Sequence, residues 1–286
     1  MKSKSSFRLY GTLAVILALL VGSTVRAQEV VRNITHIAGD VYRFQNNAHY
    51  SVFMVTSEGV IATDPISVEA ATWLNEEIRQ RFNQSVKYVI YSHDHWDHAS
   101  GAAAFPEATI IAHANAIPYI EASDQPIELP DITFTSEFDL RLGGKHVHLY
   151  YLGVSHSDNL VYMVFPEEKI LFGVDAIAVN RLPFQDFEGT DIDGLIGAMY
   201  ALQQMDIDIV APGHGELGTI EDIVAHRTYI ELLKDQVTAL IRMGRTDAEI
   251  METIKMPQYS SWGSYNDWQQ MNVRGMITYV KEHYRF

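Results

Sequence analysis

The hydrophobic and polar positions of the chain begin as short alternating runs. Three apolar runs rich in β-branched and aromatic residues, at 41–45, 51–56 and 60–63, are separated by the turn sequences Asn46-Asn47 and Glu58-Gly59. Runs of this kind, bounded by turn residues, predict strands that pair in an antiparallel arrangement. The chain therefore opens with an antiparallel β-structure.

The pattern then changes to a helical period. Ala70, Leu74 and Ile78 fall on one face of the segment 68–82, which predicts an amphipathic helix. A strand is predicted at 88–91, and the loop after it leads into an alanine-rich run from Ala99 that favours a helix start. The rest of the first half is predicted to hold a strand at 109–112, a helix at 114–121 and a polar linker at 123–130.

The second half again has strands followed by helices. Strands are predicted at 132–138, 145–151, 159–165, 170–174 and 207–211, with Gly143-Gly144 as a hairpin turn, and helices at 191–205, 220–243 and 268–286. Strands followed by helices in both halves predict an α/β fold in which two sheets pack face to face with helices outside, an αββα sandwich. Residues 28–286 contain no linker long enough to divide them, so we expect a single domain there.

A secretory signal peptide is predicted at residues 1–27. Basic residues precede the apolar run 13–21, and Val25-Arg26-Ala27 has small or apolar residues at the positions that a signal peptidase recognises. The apolar run is too short for a spanning helix. We therefore expect cleavage after Ala27 and a periplasmic or secreted product without a stable membrane anchor; a retained N-terminal anchor is the alternative.

Charge and cysteine content narrow the possible partners. The net charge is −15, and loss of residues 1–27, which hold four basic and no acidic residues, would make it −19. Nucleic acids and anionic membranes need patches of Lys and Arg, so neither is an expected partner. The chain has no cysteine, which excludes disulfides, thiolate ligands and a cysteine nucleophile.

Potential metal ligands cluster on the loop after the strand at 88–91, in the sequence His93-Asp94-His95-Trp96-Asp97-His98. Side chains two residues apart in an extended chain point the same way, so His93 and His95 can bind one ion together. The chain then turns towards the expected helix, which carries Asp97 and His98 to the other side. One loop therefore predicts two adjacent metal sites.

Three further candidate ligands lie at strand ends or turns of the second half. His156 lies between two predicted strands, Asp175 ends the strand at 170–174, and His214 lies between glycines. Each alone has a common structural explanation, a solvent-facing loop histidine or a helix-capping aspartate. Together with the loop they supply seven ligands: His93, His95 and His156 for one ion, Asp97, His98 and His214 for a second, and Asp175 as a bridge. Imidazole and carboxylate suit two Zn²⁺ and also permit Fe or Mn.

The motif His93-x-His95-x-Asp97-His98, followed by His156, Asp175 and the sequence Pro212-Gly213-His214-Gly215, resembles the metallo-β-lactamase superfamily. The resemblance covers most of the residues after 27. It implies an αββα fold with a dinuclear metal site at one edge, and hydrolysis by a metal-bound hydroxide. The best-known β-lactamases of the family have a cysteine where Asp175 stands, so Asp175 is typical of the broader hydrolase branch.

We therefore expect an exported dinuclear zinc hydrolase that acts on a carbonyl group of a small-molecule substrate, with β-lactams as the leading class. A lactonase or another ester or thioester hydrolase is the main alternative. A diiron redox protein and a non-catalytic metal-binding protein are less favoured. The oligomeric state is left open by the sequence. Asp97 is the candidate for orienting the attacking hydroxide and passing on a proton.

Other residues are candidates for supporting roles. Asp64 is a candidate hydrogen-bond partner for a ligand histidine, with a turn residue before Pro65 as the equally good alternative. Arg181 is a candidate for binding a substrate carboxylate. The full set of candidate substrate contacts comprises Asn47, His49 and Tyr50 on an early hairpin that resembles the family's mobile loop, Trp96 in the ligand loop, and Arg181, Phe184 and Phe187 after the Asp175 strand.

Overall fold

The strands form two sheets in the computed structural model, which describes residues 30–285. The first sheet comprises, in spatial order, β1 (Arg32–Ala38), β2 (Val41–Asn46), β3 (His49–Thr56), β4 (Gly59–Thr63), β5 (Val86–Ile90), β6 (Thr109–His113) and β7 (Ile132–Phe134). The second comprises β8 (Glu137–Leu142), β9 (Lys145–Tyr150), β10 (Tyr162–Phe165), β11 (Ile170–Val174) and β12 (Ile209–Pro212). The predicted signal peptide and its cleavage site lie outside the described residues.

Strand direction is mixed in both sheets. From β1 to β4 neighbouring strands are antiparallel, as the sequence predicts, and from β4 to β7 they are parallel. In the second sheet β8 to β11 are antiparallel, whereas β11 and β12 are parallel. The carboxyl ends of β4 and β5 therefore share one edge, as do those of β11 and β12.

Helices cover the outer faces of the sheets. They are α1 (Val68–Phe82), α2 (Trp96–Ala99), α3 (Ala116–Ala122), α4 (Ile192–Leu202), α5 (Ile220–Arg242), α6 (Asp247–Thr253) and α7 (Tyr265–His283), with short 3₁₀ turns at Ala102–Ala104 and Pro257–Tyr259. The predicted helix at 68–82 is confirmed. It begins where the Ser67 hydroxyl accepts a hydrogen bond from Ala70 N and ends at Asn83, which adopts a left-handed conformation.

Two hydrophobic cores lie on the two faces of the first sheet. Met54 and Ile61 belong to a large core that also contains Leu149 and Met163 of the second sheet. Phe53, on the opposite side of β3, packs in a smaller core with the inner face of α1. This alternation of side chains along a strand confirms the αββα sandwich, and the described residues from Val31 onward form one compact unit.

Two local predictions are wrong. The segment 132–138, expected as one strand, forms β7 and the start of β8, which lie in different sheets. Its alternating hydrophobic pattern continues across both strands, so the sequence does not record the change of sheet. The helix expected from Ala99 instead begins at Trp96 and ends at Ala99, because Gly101 has a φ of 105° and packs against the backbone of Ser67.

Two elements were not predicted. β1 is largely exposed, so its side chains carry little of the alternation that marks a half-buried strand. α6 is short, yet Thr246 and Glu249 form a capping box at its start. That pair was a recognisable sequence feature of a helix N-terminus.

Candidate metal centre

The ligand-type residues follow strand ends on both sheets. Asp64 directly follows β4 and His93 lies just beyond β5, whereas Asp175 directly follows β11 and His214 lies just beyond β12. His156 lies in the loop between β9 and β10. Because the strands of each parallel pair end at the same edge, residues far apart in the sequence meet there.

One cluster joins the first loop to the second sheet. Donor atoms of His93, His95, His156 and Asp175 all lie within 4.8 Å of one another. His156 Nε2 is 3.3 Å from His95 Nδ1 and 3.8 Å from Asp175 Oδ2. The structure thus brings together the three histidines assigned to the first ion.

A second cluster lies beside the first and shares Asp175. His98 Nε2 is 3.2 Å from Asp175 Oδ2, and His214 Nε2 is 3.5 Å from Asp175 Oδ1. Asp97 Oδ2 lies 3.7 Å from His98 Nε2 and 3.6 Å from His214 Nε2. All seven side chains selected from the sequence therefore converge on one place.

The donor atoms fit divalent metal ions. His93 Nε2, His98 Nε2 and Asp175 Oδ1 are buried and lack a well-aligned hydrogen bond within residues 30–285, although His98 Nε2 and Asp175 Oδ1 each face an oppositely charged group at 3.2 Å and 3.5 Å. Buried polar atoms without partners are costly, so they indicate a missing partner. Zinc bonds of about 2.0–2.2 Å place neighbouring donors of a tetrahedral site roughly 3.3–3.6 Å apart. The distances in the second cluster, 3.2–3.7 Å, are close to that spacing.

Asp64 orients two of the candidate ligand histidines through hydrogen bonds on the side of each ring away from the clusters. Its fully buried carboxylate accepts hydrogen bonds from Ser92 N and Ser92 Oγ, each at 2.7 Å, and lies 3.0 Å from His98 Nδ1. Ser92 Oγ is in turn 2.9 Å from His93 Nδ1. Both imidazoles are thereby oriented with Nε2 towards the clusters, which is the usual arrangement around a ligand histidine.

Burial sets the protonation of the first cluster. Desolvation lowers the pKa of His93 well below its ordinary value, and the neighbouring His98 and His95 add to the effect. Burial likewise lowers the pKa of His156 to about 4. Both imidazoles are therefore neutral at pH 7, the form that a metal ion requires.

In the second cluster the pKa values of the histidines are raised instead of lowered. Burial would lower the pKa of His98, yet the charge of Asp175 and contacts with Asp175 and Asp64 raise it well above its ordinary value. Burial also opposes protonation of His214, but the nearby carboxylates of Asp175 and Asp97 raise the pKa of His214 to about 9. Burial would raise the pKa values of Asp97 and Asp175, but the surrounding histidines hold both well below the usual range.

Two site residues were not identified from the sequence. Ser92 precedes the ligand loop directly, so its position was available as a clue. Asn159 is buried and joins the His156 loop to the His93 loop: its Nδ2 donates to Asp94 Oδ1 at 2.7 Å, and its Oδ1 accepts from Asp94 N at 3.0 Å. Only the packing of the two sheets makes that pairing visible.

The candidate substrate contacts on the first sheet have different environments. Trp96 is 60% exposed beside the clusters. Asn47 lies in the turn of the β2–β3 hairpin, where its Oδ1 accepts a hydrogen bond from Val31 N. Tyr50 packs under the Arg43 guanidinium, 3.7 Å from the ring centre. His49 Nε2 lies 3.3 Å from Asp97 Oδ2, so it faces the second cluster directly.

The candidate substrate contacts after β11 also differ in their environments. The Arg181 guanidinium lies 5.2 Å from the Trp268 ring centre, and the 61% exposed Phe184 contacts the same indole. Burial lowers the pKa of Arg181 while the charge of Asp175 opposes that change, which places Arg181 within electrostatic reach of the clusters. Phe187 is only 8% exposed and packs in the large core. Its burial favours a packing role over the predicted substrate contact.

Comparison with known proteins gives a family match over the same region. A model of the metallo-beta-lactamase superfamily matches residues 56–214, more than half of the chain. A metallo-beta-lactamase type 2 of Bacillus cereus is 27% identical over 170 residues, covering 57% of this chain and 65% of that protein. The alpha subunit of 2,4-dinitroanisole O-demethylase from Nocardioides sp. (strain JS1661) is 28% identical over 188 residues, covering 62% and 56%. The matched region thus spans less than two thirds of each relative.

Comparison with solved structures supports the same fold. A metallo-beta-lactamase from Pontibacter korlensis superimposes with a TM-score of 0.64 at 21% identity, covering 70% of this chain and 99% of that one. No helix within residues 30–285 has the length and apolar character needed to cross a membrane. The αββα sandwich, the ligand clusters at its edge and the family match over residues 56–214 lead to one conclusion: the chain belongs to the metallo-β-lactamase superfamily.

Proposed function

We propose that the chain is a dinuclear metal hydrolase that acts on a carbonyl substrate, with β-lactams as the leading class. The observation that carries the proposal is the position of Asp175. Its Oδ2 faces His98 at 3.2 Å and His156 at 3.8 Å, while its Oδ1 faces His214 at 3.5 Å. One carboxylate can therefore be shared by both clusters and hold two ions next to each other.

The donor set favours Zn²⁺, and Fe or Mn would accept the same imidazole and carboxylate ligands. Three histidines and Asp175 would hold one ion, and Asp97, His98, His214 and Asp175 the other. When bound, two such ions polarise a carbonyl oxygen and make a water molecule acidic near neutral pH. Asp64 and Ser92 hold the imidazoles in the orientation that this arrangement needs.

Asp97 is the proposed catalytic residue. It is half-buried, so its carboxylate reaches the second cluster and the solvent-facing side. Because its pKa is held well below the usual range, it is ionised at pH 7 and accepts hydrogen bonds. In that form Asp97 can orient the attacking water by accepting a hydrogen bond from it.

The proposed function covers two substrate classes, β-lactams and the carbonyl esters, which include lactones and thioesters. The similarity to a type 2 metallo-beta-lactamase supports β-lactams. Asp175 in place of a cysteine supports a wider range in which lactones, esters and thioesters come next. The similarity to an O-demethylase subunit adds that relatives of this chain are not confined to β-lactams. Arg181 would bind the free carboxylate that β-lactam antibiotics carry.

The test combines metal analysis with a substrate panel. Purified protein is expected to hold about two metal ions per chain and to hydrolyse a cephalosporin or a homoserine lactone in preference to a thioester, a phosphodiester or a sulfate ester. Asp97→Ala is expected to abolish that turnover. The measurements are elemental analysis of bound metal and initial rates on each substrate.

A matched control is Asp124→Ala, which removes an exposed carboxylate in the polar linker far from the ligand set in sequence. This variant is expected to keep wild-type rates and metal content. Turnover of the phosphodiester alone would overturn the proposed substrate class. Protein that binds no metal would overturn the function itself.

A further inference from the structure

The β2–β3 hairpin is attached to the loop that carries His214. The buried Arg43 of β2 donates from Nη2 to the carbonyl oxygens of Pro212 and Gly215, which flank His214 on both sides. From β3, Tyr50 N donates to Gly213 O at 2.8 Å. His214 Nδ1 is 3.0 Å from Ala48 O, in the hairpin turn itself. The hairpin therefore holds both the backbone and the imidazole of a candidate metal ligand.

This attachment places His49 against the second cluster. His49 Nε2 lies 3.3 Å from Asp97 Oδ2, and the His49 and His214 rings are 4.8 Å apart with an edge-on orientation. Donor atoms of His49, Asp97 and His214 all lie within 4.8 Å of one another. His49 is half-buried, so its Nε2 is turned into the site while part of the ring stays exposed.

We propose that His49 is an additional metal ligand, which the hairpin brings to the ion bound by Asp97 and His214. The 3.3 Å between His49 Nε2 and Asp97 Oδ2 is short enough for both atoms to be donors to one zinc ion, and His49 would be a fifth donor beside Asp97, His98, His214 and Asp175. His214 Nδ1 is engaged with a backbone carbonyl, which leaves its Nε2 for the metal. From the sequence alone His49 is a candidate substrate contact, whereas its contacts with Asp97 and His214 favour a role as a metal ligand.

A metal bond through His49 would also help to fix the position of the β2–β3 hairpin. If His49 binds the ion, the hairpin is fixed by the metal in addition to its hydrogen bonds with residues 212–215. Its position then depends on occupancy of the second site rather than on substrate. The inference rests on the proposed dinuclear centre, since His49 needs an ion between Asp97 and His214.

The experiment compares metal binding by wild-type protein and His49→Gln. Glutamine keeps an N–H donor for the Asp97 carboxylate but is a poor ligand for zinc. Zn²⁺ titration of the apoprotein by calorimetry is expected to show two binding steps in the wild type. In His49→Gln the affinity of the first step is expected to be unchanged and that of the second to fall about tenfold or more. Replacing a residue that only hydrogen-bonds to a metal ligand already lowers metal affinity by about that factor.

A spectroscopic readout accompanies the titration. Co²⁺ bound in place of zinc absorbs visible light with an intensity that depends on its ligands, so His49→Gln is expected to change the spectrum of the second ion alone. His36→Ala serves as the control, because His36 lies on β1 and contacts Gly39 O rather than the clusters. An unchanged first step shows that the variant has folded.

The possible results separate the two proposals. Equal second-step affinity and identical Co²⁺ spectra in wild type and His49→Gln would overturn the assignment of His49 and leave the dinuclear centre intact. A single binding step that is the same in both proteins would overturn both. A second step that depends on His49, without hydrolysis of any substrate in the panel, would support the ligand assignment and overturn the hydrolase function.

Discussion

At the scale of single residues, two aspartates organise the centre in different ways. Asp175 faces both clusters with its two oxygens. Asp64 lies on the far side of the imidazoles from Asp175 and orients His98 directly and His93 through Ser92. One carboxylate is placed to bind ions and the other to fix the histidines that bind them, so substitutions at the two positions would have different effects on metal affinity.

The two clusters are predicted to differ in proton release. At pH 7 His93 and His156 are neutral, whereas the raised pKa values of His98 and His214 keep those two protonated. Metal ligands must be deprotonated, so loading both sites at pH 7 is expected to release about two protons from these imidazoles, and ionisation of a bound water would add to that number. Above pH 9, where His214 is already neutral, the number is expected to fall by about one.

Calorimetry in buffers with different heats of ionisation measures this number directly. His146→Ala is the control, because His146 pairs with Glu167 on the second sheet, away from the clusters. Zinc binding with no proton release at pH 7 would show that the second cluster is not protonated as described.

At the scale of elements, the shape of the ligand loop depends on a close backbone contact. Gly101 has a φ of 105°, and a Cβ there would lie 2.5 Å from the carbonyl carbon of Ser67, which caps α1. Nearby, Ile66 N donates to His98 O at 3.0 Å. The start of α1 and the short helix α2 are therefore held together, and this contact positions His98 over Asp64.

A pair of glycine substitutions tests that contact. Gly101→Ala is expected to lower the free energy of unfolding by about 1–3 kcal/mol, because alanine is strained at this φ and collides with Ser67. Gly197→Ala, in the exposed middle of α4 with nothing near the added methyl group, is expected to raise it by about 0.5–1 kcal/mol. Urea denaturation at a fixed metal concentration gives both values.

The affinity of each variant for the second metal ion is measured as well. Gly101→Ala is expected to weaken it, since α2 carries Asp97 and His98, and Gly197→Ala is expected to leave it unchanged. Equal stability of the two variants would mean that the contact between Gly101 and Ser67 does not constrain the loop.

At the scale of the whole molecule, the centre joins the two sheets. His93, His95 and His98 follow a strand of the first sheet, whereas His156, Asp175 and His214 belong to loops of the second. An ion bound by both sets links the two layers in addition to the hydrophobic core between them. Metal binding should therefore stabilise the whole fold rather than one loop.

Metal removal is expected to lower the melting temperature. An ion at a hundred times its dissociation constant stabilises the native state by about 2.7 kcal/mol, which corresponds to roughly 5–10 °C for a domain of this size. Differential scanning calorimetry with and without a chelator measures the shift. His156→Ala is expected to show a smaller one, and an identical melting temperature for wild type with and without metal would contradict the link between the sheets.

The sequence predicted the architecture, and it offered seven candidate ligands that the structure brings together. Hydrophobic periodicity depends on which side of each element is buried, so α1 and most strands were recognisable one by one. The ligand loop 93–98 is contiguous, so its spacing alone indicated paired sites. Periodicity does not record which sheet a strand joins, and for that reason β7 and β8 were predicted as one strand.

The sequence by itself determined which chemical groups the chain offers: imidazoles and carboxylates without thiolates, on segments that follow strand ends. Only the tertiary structure decided how they meet. That Asp175 lies between both clusters, that Asp64 orients two histidines, and that His49 faces Asp97 all depend on contacts between residues far apart in the sequence. Such distances are set by how the two sheets pack, and no local pattern encodes them.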